Sequence, residues 1–142
     1  MRSATPKIFL GSNIWFSAFY HSQNCEKLIK AYKNKRVRVV ISQQVLEEST
    51  RNIREKIPHQ LSSFQNLILN NPPEIVTDPD TIPPKIKNLI SDEDQPIFIS
   101  AIMAKVNYFI TGNIKDFHVK KLEKITGIKI LTPKEIVSLL DL

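Results

Sequence analysis

The chain of 142 residues reads as an α/β protein with a mainly parallel sheet. Three observations predict this class. Short runs rich in β-branched or aromatic residues recur along the chain, each closed by Gly, Ser, Thr or Pro. Stretches with helical spacing of apolar residues separate those runs, the alternation that builds parallel sheets. One stretch, "PIFISAIMAKV", is apolar on nearly every side, as a buried helix would be.

Taken in order, Ile8-Phe9-Leu10 forms the first strand, stopping at Gly11-Ser12-Asn13. Trp15 to Lys33 is a helix carrying Leu28, Ile29 and Tyr32 on one side. Val37 to Ile41 is the second strand. Gln43 to Ile57 is a helix with Val45, Leu46, Ile53 and Ile57 on its apolar face, and Leu61 to Asn70 is another candidate. The segment from Asn70 to Pro84 holds five prolines and reads as a connecting loop, with Glu74-Ile75-Val76 as a weaker strand inside it. The buried helix runs from Pro96 to Val106, with Pro96 suited to its first turn. Tyr108-Phe109-Ile110 and Ile128 to Leu131 are the remaining strands, and Lys134 to Leu140 the last helix.

The length and a hydrophobic fraction of 42% suit a single domain, residues 1–142, with a substantial core. Lysine and arginine exceed aspartate and glutamate by 20 to 14, a balance compatible with a polyanionic partner. The single cysteine, Cys25, excludes an internal disulfide and a cysteine-based zinc cage, which fits a cytoplasmic protein. Arg2 and Lys7 before an apolar run mimic a signal peptide, but Gly11-Ser12-Asn13 breaks that run. No apolar stretch is long enough for a membrane span.

Ligands of such sheets gather at the carboxyl ends of the strands. Three segments deliver acids there: Glu47 and Glu48 after "VRVVIS", Asp92, Glu93 and Asp94 in "SDEDQP", and Asp116 in "TGNIKDF". Singly, each has an ordinary role as a solvated helix residue, a cap or a loop acid. Converging on one rim without paired histidines, carboxylates would repel one another unless a cation lay between them. Oxygen ligands of this kind suit Mg²⁺ or Mn²⁺, and a basic chain with such a site is a candidate metal-dependent nuclease.

The segments "IFLGSNIWFSAF", "VVISQQVLEES", "DEDQPIFISAIMAKVNYFITGN", "KDF" and "ILTPKEIVSLL" together resemble the PIN-domain family, in order and over essentially the whole chain. The resemblance implies a three-layer α/β/α sandwich and a Mg²⁺- or Mn²⁺-dependent ribonuclease. It points in particular to the VapC-like toxins of toxin–antitoxin pairs, silenced by an antitoxin partner. It places acids of the family's site at Glu48 and Asp94, with Asp116 as a further one, these three holding the metal. Asn113 stands where many relatives have Asp, and Asn13 is expected to brace the acids by hydrogen bonds. The family's first acid falls at Gly11, so "LGSN" stands where "LDSN" or "LDTN" is expected. The implied enzyme is therefore impaired or inactive. The alternatives are a non-catalytic RNA- or partner-binding domain of the same scaffold, and a receiver-like signalling domain. The last is disfavoured because no strand ends in an aspartate that would accept a phosphoryl group.

Ser12, Thr111, Lys115 and Lys120 are candidates for contact with an RNA substrate, the lysines through its phosphates. The basic run "KNKRVR", from Lys33 to Arg38, reads as a solvated turn entering a strand, with RNA contact as the alternative. Trp15, Phe16, Phe19 and Tyr20 read as core, their density leaving room for a partner groove or a homodimer face. His118 reads as a surface residue.

Overall fold

The computed structural model describes residues 5–142. Its sheet has five strands, β1 (Lys7–Leu10), β2 (Arg38–Ser42), β3 (Glu74–Val76), β4 (Tyr108–Ile110) and β5 (Lys129–Leu131), in the order β3-β2-β1-β4-β5. Every pairing is parallel, with Phe9 opposite both Val40 and Phe109 in register. Strands covered on both faces need apolar residues at successive positions. Ile8, Phe9, Leu10, Val40 and Ile41 supply them, each fully buried.

Among the described residues eight helices connect and flank the strands: α1 (Ser12–Ala18), α2 (Gln23–Lys33), α3 (Gln43–Lys56), α4 (Leu61–Asn70), α5 (Pro84–Lys87), α6 (Gln95–Met103), α7 (Val119–Thr126) and α8 (Pro133–Leu140). Short 3₁₀ turns at Pro58–Gln60 and Ile114–Asp116 complete the chain. Two aromatic clusters mark the two sides of the sandwich. Phe9 stacks on Phe109 with centroids 5.3 Å apart, and Phe98 of α6 meets Phe109 edge-on at 5.0 Å. Elsewhere Trp15 of α1 packs edge-on against Tyr32 of α2 and Phe64 of α4.

The helix expected from Trp15 to Lys33 is two helices. His21 adopts φ 63°, in the left-handed region that ends a right-handed helix, and the Ser22 side chain then caps α2 by accepting from the Cys25 N–H. α7 was not foreseen. It is short and amphipathic, buries Leu122 and ends on left-handed Gly127. The buried helix keeps its character but stops at Met103, because Lys105 turns left-handed at φ 57°. Of the four early aromatics, Trp15 is fully buried, Phe16 and Phe19 pack partly against the core, and Tyr20 is 59% exposed. Among the described residues no helix is long and apolar enough to cross a membrane.

Candidate active site

In the sheet order, the chain leaves β1 for β2 on one side and later returns to β4 on the other. The carboxyl ends of β1 and β4 are thus the switch point at which such sheets hold ligands. Gly11 closes β1, its N–H donating to the Ile110 carbonyl at 3.1 Å, and Thr111 closes β4. A cleft of about 170 Å³ opens there. Gly11, Asn13, Thr111 and Asn113 line it from the strand ends, Glu48 from α3, and Glu93 and Asp94 from the approach to α6.

Glu48 reaches the cleft because it lies one turn beyond Gln44 on α3, whose first turn is fixed by Ser42. The buried Ser42 hydroxyl accepts from the Val45 N–H at 3.2 Å. Both carboxylate oxygens of Glu48 have donors: Ser12 Oγ to Oε2 and Gln44 Nε2 to Oε1, each at 3.0 Å. Two bonds on different oxygens leave the group little rotational freedom. Ser12, expected to touch substrate, lines the cleft and orients an acid. Glu47 is exposed, which separates the two neighbours that periodicity treats alike.

Asp94 occupies the position before α6, yet its side chain makes no capping bond. It accepts from Ser91 Oγ at 2.6 Å. Burial pushes its carboxyl above the usual aspartate range; the Ser91 hydroxyl pulls the other way, and the Asp116 and Glu48 carboxylates add to the rise. The loop carrying Ser91 and Asp94 is pinned by buried Gln95, whose amide donates to the Lys87 and Ile90 carbonyls at 2.7 and 3.0 Å. The Ser91 N–H also donates to the Asp116 carbonyl, joining this loop to the 3₁₀ turn.

Asp116 lies on that turn, outside the residues lining the cleft, and acts on Asp94 through its charge. Among the described residues, no three His, Cys, Asp or Glu side chains stand close enough together to hold a metal ion. Asn13 lines the cleft but hydrogen-bonds to neither Glu48 nor Asp94. Its amide lies against the two glycines of the strand ends, 2.8 Å from where a Cβ on Gly112 would stand. Thr111 Oγ1 accepts from the Asn113 N–H at 3.0 Å and so shapes the turn. Lys115 and Lys120 are exposed and outside the cleft. Gln95, Ser91 and Gln44 are contributors that sequence reasoning missed, and Glu93, named there among the acids, was not singled out for the site. Only Glu93, beside Asp94 in "SDEDQP", left a signal there.

Gly11 has φ −66° and ψ 164°, extended backbone open to any L-residue, so the conformation does not require glycine. A Cβ there would lie 3.2 Å from Asn13 Oδ1 and 3.5 Å from the Ile110 carbonyl oxygen. A Cβ at position 11 therefore requires the Asn13 amide to yield by a few tenths of an ångström.

The fold and cleft define the chain as an α/β sandwich with an acidic pocket at the switch point of a parallel sheet. A PIN domain model matches residues 7–115, and the chain belongs to the PIN domain family. No curated protein matches the sequence. Among solved structures, a chain of the VapBC2 complex from Rickettsia felis, bound to a DNA fragment from its promoter, is similar in fold. The TM-score is 0.61 at 21% identity, covering 89% of this chain and 98% of that one.

Proposed function

We propose that this protein is a PIN-type ribonuclease dependent on Mg²⁺ or Mn²⁺, the cytoplasmic toxin of a toxin–antitoxin pair, and that Gly11 leaves it catalytically impaired. The observation that carries the reading is the pair of oriented carboxylates, Glu48 and Asp94, facing one cleft with Asp116 near enough to raise the Asp94 proton affinity. The donor set is all oxygen, which fits a hard divalent cation able to bind through one or two carboxylates and keep its waters. Glu48 and Asp94 would hold the ion, with Asp116 adding charge. When bound, such an ion neutralises phosphoryl oxygens and lowers the pKa of a water.

The chain's own residues do the positioning. Ser12 and Gln44 fix Glu48, and Ser91 fixes Asp94. Asn13 and Asn113 offer amides at the cleft, and Lys115 and Lys120 are exposed beyond it to meet RNA phosphates. Gly11 is the position of a vacated acid. Losing one transition-state-stabilising group costs roughly 10²–10³-fold in rate, about 2.7–4 kcal/mol. An antitoxin partner is supported by the solved relative, which is part of a VapBC2 complex. The glycine also favours a second reading, in which the scaffold is kept only to bind RNA or a partner.

Cleavage of single-stranded RNA in Mn²⁺ by this chain and by Gly11→Asp tests the proposal. The Asp form is expected to cut roughly 10²–10³-fold faster. Equal rates remove the impairment. An inert Asp form, with Glu48→Gln and Asp94→Asn both silent in metal titrations, removes the nuclease.

A further inference from the structure

The opposite edge of the sheet is as basic as the cleft edge is acidic. Lys7 and Arg38 open β1 and β2 as register partners. Lys129 opens β5 one level further along, in register with Tyr108 and Ile8, so it adds a cation at the same edge from the other face of the sheet. At the usual strand spacing, Arg38 to Lys129 spans about 14 Å. Lys35 and Lys105 stand beside this row, in the turns that lead into β2 and β4. Two hollows open between these cations. One, of about 530 Å³, takes in Lys7, Lys35, Arg38 and Tyr32, whose buried hydroxyl has no hydrogen-bond partner among the described residues. The other, of about 410 Å³, takes in Lys105, Asn107 and Lys129.

These charges are largely uncompensated by acids. The one ion pair among the described residues joins Lys7 to Glu74 at 3.0 Å. Arg38 donates to the Thr5 carbonyl and Arg36 to those of Leu140 and Asp141, bonds that fix the guanidinium groups and leave their charge intact. Helices α2, α4, α6, α7 and α8 end at this edge, each bringing roughly half a negative charge that fades within its last turn. That offsets part of the cationic row without reversing it.

The backbone adds a further observation. Three helix-to-strand turns pass through a left-handed residue: Lys35 at φ 61°, Lys105 at φ 57° and Gly127 at φ 76°. Glycine takes this conformation without strain, and only the α7–β5 turn uses it. Lysine stands at the other two positions despite the steric cost, as His21 and Asp141 do elsewhere at φ 63° and 53°, so the strain accompanies the charge and does not single out the site by itself.

We infer that the amino-terminal edge of the sheet is a second RNA-binding surface, on which Lys35, Lys105 and their basic neighbours take the phosphates of a single strand. The choice of RNA rests on the ribonuclease reading; the charge and the strain do not. The "KNKRVR" turn is exposed, as expected, and on this inference its alternative reading as an RNA contact applies.

The test is anisotropy of a labelled single-stranded RNA across a KCl series, in a Lys115→Gln/Lys120→Gln background so that the cleft side does not mask the signal. Lys35→Gly/Lys105→Gly is the informative variant because glycine relieves the turns. Its melting temperature is expected to hold or rise. The slope of log affinity against log salt is expected to shrink by about 1.4, at about 0.7 per phosphate contact. That is roughly a 25-fold loss of affinity at 0.1 M salt against a 1 M reference. An unchanged slope overturns the inference, and so does a lower melting temperature with unchanged binding, which would assign the lysines to the helix dipoles. Tighter binding of duplex DNA with the same lysine dependence overturns RNA as the occupant. An inert Gly11→Asp form with the slope still lysine-dependent removes the nuclease and leaves the surface. A cutting Gly11→Asp form with an unaltered slope does the reverse.

Discussion

Replacing Gly11 by alanine and by aspartate separates what the backbone needs from what the cleft lacks. At φ −66° and ψ 164° any L-residue is comfortable, so Gly11→Ala mainly restricts the unfolded chain, worth about 0.4–1 kcal/mol of stability. The Asn13 amide, 3.2 Å from the new Cβ, has to shift slightly and takes back part of that gain. With an unfolding entropy of about 2.1 cal/mol/K per residue over this chain, the gain corresponds to roughly 1–3 °C in Tm. Gly11→Asp adds a carboxylate to a cleft that already holds Glu48 and Asp94, so without divalent ions it should melt below Gly11→Ala. Adding Mn²⁺ at about a hundred times its Kd should then recover about 2.7 kcal/mol, close to 9 °C. Thermal melts of the three forms with and without Mn²⁺ make the measurement. If Gly11→Ala lowers Tm by several degrees, the glycine is needed by the backbone and the argument from φ and ψ is wrong. If Mn²⁺ moves Gly11→Asp no more than the parent chain, position 11 does not face a cation site.

Asp94 predicts a pH dependence. Its folded carboxyl is raised, so its contribution to stability is complete below the unfolded aspartate value and is lost as pH climbs through the folded one. Ionised Asp94 thus costs stability at neutral pH, and Asp94→Asn, which can still accept from Ser91, should melt above the parent at pH 7. The gap should close toward about pH 3; a gap that ignores pH would remove the desolvated carboxylate from the account. Thr132 and Glu135 form a reciprocal cap on α8, with bonds of 2.9 and 3.3 Å, and Thr132→Ala should cost about 1 kcal/mol in a denaturant titration. In the Gly11→Asp form, Lys115→Gln/Lys120→Gln should raise KM for RNA and leave kcat nearly unchanged, as expected of groups that hold the backbone throughout the reaction. A matched fall in kcat would instead place them at the reacting phosphate.

The parts of the fold legible in the sequence were those written in apolar continuity. "IFL", "VVI" and "YFI" read as strands and "PIFISAIMAKV" as a buried helix, and the structure has them so. The break at residues 19–22 was hidden because it depends on one left-handed histidine and a serine cap, while the apolar spacing runs on through it. α7 was legible by contrast: Val119, Leu122 and Ile125 stand at helical spacing in "VKKLEKIT", although only Leu122 is completely buried.

The cleft divides along the same line. Acids near strand ends are visible one at a time, but what fixes them is not. Gln44 reaches Glu48 because four residues make one helical turn, and Ser91 reaches Asp94 because Gln95 ties their loop to the Lys87 and Ile90 carbonyls. Nothing in a linear pattern distinguishes Gln95 from any other glutamine until its burial at 4% exposure is known. Gly11 carries the argument furthest. In the sequence, a glycine ending a strand is explained by the freedom of its backbone. In the structure that freedom goes unused, since φ and ψ are those of any extended residue. A glycine not required by its backbone, whose Cβ would meet the Asn13 amide at 3.2 Å and which stands opposite two oriented carboxylates, is the contrast on which the proposal of a vacated acid rests. Conformational need and chemical absence give the same letter in a sequence, and only the dihedral angles tell them apart.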